Sequence, residues 1–143
     1  MMDMLPLKGS AQVIAAGVTL TGSYVAATVV SPDEQNYLGL LIKYTKGAED
    51  TMQVKVDVSV DGGTTWYQQT AETATAGAIS VAVAERTYTG TGNYVTVIQP
   101  IKVPQSPSSS SGQKGLVRVS YKANSASPTP TGTVTITAVV GWV

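Results

Sequence analysis

The stretch from Asp57 to Gln68 holds the densest group of side chains that could bind a metal ion. Asp57, Ser59 and Asp61 offer oxygen atoms at positions 1, 3 and 5 of an EF-hand calcium loop. Gly62 follows at position 6, but Gln68 stands where that loop needs a bidentate glutamate. The residues before it alternate like a strand rather than a helix. We therefore expect a tight turn here and no metal.

The same residues contain the pattern S-x-D-x-G-x-T-W. Its members are Ser59, Asp61, Gly63, Thr65 and Trp66. This pattern resembles the Asp box of sialidases and related β-propellers. The resemblance implies a structural β-hairpin in which the Asp side chain accepts backbone N–H groups, the Gly relieves strain and the Trp packs beneath the turn. It implies no catalytic role for these residues.

Few other residues are suited to catalysis. The chain has no His and no Cys, so the usual general base and thiolate ligand are missing. A sialidase would need several Asp boxes and a cluster of arginines, whereas this chain has one box. The carboxylate pairs Asp33 with Glu34 and Glu49 with Asp50 fall in expected loops, where nothing places them at the separation of about 5 to 9.5 Å that glycoside hydrolysis requires. We predict no enzyme activity, no catalytic residues, no cofactor and no metal.

Composition narrows the choice of partners. Nine basic and nine acidic residues cancel in 143 residues, and only 13% are charged. This balance does not favour nucleic acid or an anionic membrane as a partner. Residues 1–9 lack the charged and apolar regions of a signal peptide, and no stretch has the roughly 20 apolar residues of a membrane span. We expect synthesis in the cytoplasm, without membrane insertion.

Hydrophobic alternation predicts the fold class. From Met52 to Val60 every second residue is Met or Val, which is typical of a strand with one buried face. Strands are predicted at 22–30, 37–45, 52–60, 64–69, 79–84, 94–99, 116–122 and 133–143. Residues 70–77 would form at most one turn of helix. About eight short strands predict an all-β protein, a single antiparallel β-sandwich that is either a jelly roll or immunoglobulin-like.

Three stretches differ from this pattern. Residues 104–115 and 124–132 are rich in Pro and Ser and are expected to be loops. Residues 1–10 are predicted to form an N-terminal arm, followed by the sandwich domain at 11–143. The apolar side chains of the arm are costly to leave in water and are candidate partner contacts, as they would be hidden on a neighbouring subunit. They are Met1, Met2, Met4, Leu5 and Leu7.

A short basic stripe is expected on the strand that begins near Leu116. Arg118 and Lys122 lie on its polar face, because side chains alternate between the two faces of a strand. They are candidate contacts for an acidic partner. The alternative is that they only keep a sheet face or edge soluble.

The whole chain resembles the small β-sandwich structural proteins of tailed bacteriophages, particularly head decoration or cement proteins. The resemblance rests on the Cys-free composition rich in Ser, Thr, Ala and Gly, on the segment YLGLLIKYTK at 37–46, on QVKVDVSVDGGTTWYQQ at 53–69, and on the arm. It implies a non-enzymatic virion protein that binds the major capsid protein on the outer capsid surface, as a homotrimer, and stabilises the head.

Two alternatives stay open from the sequence. One is another phage component, in the neck, tail or baseplate. The other is a carbohydrate-binding or receptor-binding module that uses Trp66, Tyr67 or Trp142 as a stacking platform. Exposure of these aromatic side chains distinguishes a carbohydrate-binding or receptor-binding module from a structural virion protein. The positions of Trp66 and Trp142 favour burial in the core.

Overall fold

The structure is a computed structural model that describes residues 10–31, 37–98, 115–124 and 129–141. Eleven β-strands and no helix lie in these ranges. The strands are β1 (Ser10–Thr19), β2 (Val25–Ala26), β3 (Tyr37–Thr45), β4 (Thr51–Ser59), β5 (Tyr67–Gln68), β6 (Thr70–Thr75), β7 (Ala78–Val83), β8 (Arg86–Tyr88), β9 (Gly92–Ile98), β10 (Leu116–Asn124) and β11 (Thr133–Gly141). Within the described ranges, no helix is long and apolar enough to cross a membrane.

The strands form two packed sheets and a separate hairpin. Sheet A has the order β1-β11-β3-β9, and sheet B has the order β2-β10-β4, with β5 and β8 both paired to the free edge of β4. Among the residues that the structure describes, β6 and β7 pair only with each other. All the pairings are antiparallel. The predicted all-β, antiparallel β-sandwich is confirmed.

The pairing is nested from the outside of the sequence inward. β1 pairs with β11, β2 with β10, β3 with β9, and β4 with β5 and β8. Consecutive strands β1, β2 and β3 therefore alternate between the sheets, whereas an immunoglobulin sandwich places its first two strands in one sheet. This nested order is that of a jelly roll, and it decides between the two topologies that the sequence left open.

The strand predictions need three corrections. The prediction of about eight strands is too low, because it missed β1, β6 and β8. The prediction of a helical turn at 70–77 is wrong, since these residues form β6 and the turn into β7. That turn contains Ala76 at φ 51° and Gly77 at φ 84°, the two positive angles that a tight hairpin requires. Of the predicted strand at 22–30, only Val25–Ala26 and a bridge at Val30 are paired.

The core lies between the inner faces of the two sheets. The alternation predicted for β4 is present, because Met52, Val54 and Val56 are buried and Val58 is half-buried. β3, β10 and β11 each supply four more buried apolar side chains: Leu38, Leu40, Ile42 and Tyr44; Val117, Val119, Tyr121 and Ala123; Val134, Ile136, Ala138 and Val140. Since no disulfide is available, this packing holds the sheets together.

A buried carboxylate joins the loop after β3 to the start of β11. Glu49 is 1% exposed. Its Oε2 accepts hydrogen bonds from the Tyr44 hydroxyl at 2.6 Å and the Gly47 N–H at 2.9 Å. Its Oε1 accepts from the backbone N–H groups of Thr131 at 3.2 Å and Gly132 at 2.9 Å. A side chain at Gly132 would collide with this carboxylate, so glycine is required there.

These contacts control the ionisation of Glu49. Burial by itself would raise the pKa of the carboxyl, but the hydrogen bonds from Gly47, Tyr44 and Gly132 outweigh burial and lower the pKa to about 2. Burial and the same hydrogen bond raise the pKa of Tyr44. The charged carboxylate is therefore part of the folded structure.

We expect Glu49→Gln to lower the free energy of unfolding by up to about 3 kcal/mol at pH 7. The folded pKa of about 2 lies below the ordinary value of 4.5, so the stabilisation is complete above about pH 4.5 and is lost as the pH falls toward 2. Urea titrations at pH 7 and pH 3 measure it. The variant should lose less stability than the wild type between these pH values, whereas Asp50→Asn, at an exposed neighbour, should follow the wild type. Equal pH dependence in all three proteins would contradict the assignment.

Candidate functional surfaces

The Asp-box-like turn connects β4 to β5 through a set of short hydrogen bonds. The Ser59 hydroxyl donates to Asp61 Oδ1 at 2.8 Å and accepts from the Gly63 N–H at 2.9 Å. Asp61 Oδ1 also accepts from the Thr65 N–H at 2.9 Å. The Thr65 and Ser59 hydrogen bonds lower the pKa of Asp61. Gly62 and Gly63 have φ angles of 76° and 95°, which side chains adopt with strain. The side chains and glycines of the motif thus serve the turn itself.

Trp66 lies on the outer face of sheet B rather than in the core. The guanidinium of Arg118 stands 4.3 Å from its ring centroid. Arg118 also donates to Asp57 Oδ2 from Nη2 at 2.8 Å and from Nε at 3.2 Å. Asp57 is 1% exposed, although it points away from the core, because these neighbours cover it. The expectation that Trp66 packs in the core is therefore wrong, since it covers an ion pair.

The two members of the predicted basic stripe have different neighbours. Lys122 places its amino group 4.9 Å from the ring centroid of Tyr24, and Lys55 does the same. The Tyr24 hydroxyl donates to Glu85, and burial followed by this hydrogen bond raises the pKa of Tyr24. Arg118 is engaged with Asp57 and Trp66 instead. The polar side chains of this face are thus largely paired with one another.

The calcium-loop spacing does not produce a shared site. Asp57 faces Arg118, whereas Asp61 turns back into its own loop. In the part of the chain that the structure describes, no three His, Cys, Asp or Glu side chains are grouped to hold a metal. Among the aromatic candidates, Tyr67 is 59% exposed. Trp142 and the arm residues Met1, Met2, Met4, Leu5 and Leu7 lie outside the described residues.

The outer face of sheet A is apolar and exposed. One row of paired residues crosses all four strands: Val13, Thr137, Leu41 and Val95. The next row repeats the pattern: Ala11, Val139, Gly39 and Val97. The side chains of Val13, Leu41, Val95 and Val97 are between 47% and 64% exposed. Burying each of them would contribute on the order of 1 kcal/mol, so this face is suited to contact with protein.

This face is almost free of charge. Lys43 is the sole charged residue in the sequences of the four strands of sheet A. It lies at one end of a shallow depression of about 400 Å³, with Leu41, Val95 and Thr137 along the depression. Sequence reasoning missed this face. The signal was present, because Val and Thr alternate in β9 and β11 where a solvent-facing strand normally carries charge.

The hairpin of β6 and β7 forms a second exposed surface. Every side chain from Thr70 to Ala82 is exposed. Its base is anchored where the Gln69 N–H donates to the Val56 carbonyl and the Ala84 N–H donates to the Gln69 carbonyl. β5 and β8 pair with successive parts of the same edge of β4, so the hairpin interrupts one edge strand of sheet B.

Compared with known proteins, the chain matches no family model and no curated sequence. The proposal of a function therefore rests on the surfaces described above.

We expect Gly63→Ala to destabilise the protein by about 1 to 2 kcal/mol. The added methyl group makes only ordinary contacts, 3.6 Å from Leu116 Cδ1 and 3.7 Å from Trp66 Cζ2, but it forces a side chain into a left-handed backbone conformation. Gly22→Ala is the matched control, since its added methyl group meets nothing within 4 Å and its φ is not positive. Thermal or urea unfolding of both variants measures the difference. Equal stability of the two variants would show that the turn relaxes.

We expect Arg118→Ala to destabilise the protein by about 1 to 3 kcal/mol, because the Asp57 carboxylate would stay buried without its cation. Adding Asp57→Asn should recover part of this loss, since it removes the unpaired charge. A double-mutant cycle in urea measures the coupling. Losses that simply add would mean that the ion pair contributes nothing beyond its separate side chains.

Proposed function

We propose that this chain is a non-enzymatic assembly protein whose role is to hold other protein surfaces together. The observation that carries the proposal is the exposed outer face of sheet A, which has Lys43 as the sole charged residue in its strands. Proteins that work alone in water rarely present such a continuous apolar face, whereas proteins that work in contact with others do. The polar outer face of sheet B, with its own internal pairs, provides the contrast within one molecule.

More finely, we propose a virion role, as a decoration or cement protein on the outer surface of a phage head. The support is the resemblance in composition and in the segments at 37–46 and 53–69, together with a jelly-roll topology. Jelly rolls include both viral capsid and lectin domains, so the fold by itself does not choose a function. The proposed partner is the major capsid protein, and the proposed unit is a homotrimer.

Several weak contacts would suffice for such a role. An oligomer that touches neighbouring capsid subunits at once gains from the high effective concentration of its second and third contacts. Arg118 and Lys122 on sheet B stay half-exposed beside their internal partners. Together with the arm residues Met1, Met2, Met4, Leu5 and Leu7, they are the proposed contacts with the shell.

Co-sedimentation of the purified protein with expanded capsids that lack it tests the proposal. We expect saturable binding with a fixed number of copies per shell. Val95→Lys should weaken binding at least tenfold, because it places a charge in the apolar face, where Val95 is 64% exposed and its replacement leaves the core intact. Ala48→Lys adds the same charge at an exposed loop position outside both sheets and should bind like the wild type.

No binding of the wild type would overturn the cement role and would direct the search to neck, tail and baseplate components and to a glycan array that tests the exposed Tyr67. Equal binding of Val95→Lys and Ala48→Lys would overturn the role of sheet A in assembly.

A further inference from the structure

We propose that the β6–β7 hairpin of one copy lies on the outer face of sheet A of a neighbouring copy. The inference identifies the partner of that face as a second copy of this chain. It rests on the proposed function only for the expectation that several copies act together, and it is tested without capsids.

The hairpin has one apolar side. Paired residues on adjacent strands point to the same side, and here Glu72 pairs with Val81, Ala74 with Ile79, and Thr70 with Val83. Ile79 and Val81 are 66% and 59% exposed. The opposite side of the hairpin carries only Ala, Thr and Ser. The hairpin therefore presents a narrow apolar ridge to its surroundings.

The ridge needs a surface that its own sandwich does not provide. A two-stranded hairpin is marginally stable by itself in water, yet β6 and β7 pair with no third strand among the described residues. The hairpin starts from the edge of sheet B, whereas the large apolar face belongs to the outer side of sheet A. The hairpin of one copy therefore reaches the outer face of sheet A most directly on a different copy.

The hairpin and the outer face of sheet A carry charges of opposite sign. Glu72 is the sole charged residue in the sequence 70–83, and Lys43 is the sole charged residue in the strands of sheet A. Glu72 shares the apolar side of the hairpin with Val81, and Lys43 lies at one end of the depression beside Leu41 and Val95. A hairpin ridge seated in this depression brings one acidic and one basic group to the same contact. Lys43 has the polar residues Asn93 and Thr135 paired beside it, and the apolar row of Leu41 and Val95 follows.

The contact joins two different surfaces, so each copy offers a hairpin to one neighbour and receives a hairpin from another. Contacts of this kind close into a ring when the rotation between copies allows it. The homotrimer proposed above is one such ring.

Charge reversal tests the pairing of the two surfaces. Sedimentation equilibrium of the full chain should show an oligomer of fixed size. Glu72→Lys and Lys43→Glu should each raise its dissociation constant at least tenfold, because each variant brings like charges together. The double variant should return to within about threefold of the wild type. Asp50→Lys, an exposed change outside both surfaces, is the control and should leave the oligomer intact.

A second measurement uses the absence of Cys in the natural chain, which leaves no background disulfide. Ile79→Cys and Val95→Cys chains are mixed and oxidised. We expect disulfide-linked pairs that contain one chain of each kind, and little linkage in either variant alone. A mixture of Ile79→Cys with Thr87→Cys should not link.

A wild-type monomer at all concentrations would overturn the inference, as would a double charge variant that stays dissociated. Linkage of Ile79→Cys chains with one another would instead show hairpin-to-hairpin pairing, and would equally overturn it. Capsid binding is measured separately, so an oligomer that binds no capsid would refute the cement role and leave the inference standing.

Discussion

Burial of the two inner sheet faces against each other is the constraint on which the rest of this structure depends. The chain has no Cys, so apolar packing and sheet pairing must hold the sandwich together. The nested pairing makes this packing almost entirely long-range, because β1 closes against β11 and β2 against β10. Folding must therefore bring the two ends of the described sandwich together, which is typical of slow-folding all-β topologies.

The outer faces of the two sheets carry different kinds of side chains, polar on sheet B and mostly apolar on sheet A. On sheet B, Asp57 is covered by Arg118 and Trp66, and Tyr24 reaches Glu85 across the strands. These polar groups pair within the chain. On sheet A, the corresponding positions apart from Lys43 and Asn93 are filled mainly by Val, Leu, Thr and Gly, which cannot form ion pairs and gain from being covered. The outer face of sheet B is therefore a polar surface whose groups pair largely within the chain, whereas the outer face of sheet A is an apolar surface suited to a partner.

The β6–β7 hairpin is inserted between β5 and β8, which share one edge of sheet B, so the strand order of the sandwich is kept. β5 and β8 together occupy the edge of β4, and the hydrogen bond from the Ala84 N–H to the Gln69 carbonyl closes the base of the insertion. An insertion at an edge disturbs one ladder, whereas an insertion in a central strand would disturb two. The buried Glu49 has a similar local role at the other connection, where it satisfies backbone N–H groups that would otherwise lack partners.

The sequence by itself determined the fold class, the long strands β3, β4, β10 and β11, and the turn at Ser59 to Thr65, because alternation and turn chemistry are local properties. It also predicted which face of β10 carries Arg118 and which carries the core. Only the tertiary structure decided the jelly-roll order, the outward position of Trp66, the strand at 70–75 and the apolar face of sheet A. These features depend on which strands become neighbours. A Val or Thr at an outer position looks like a core residue in a single strand. Its exposure is known only when four strands lie side by side and no further layer of the described residues covers them.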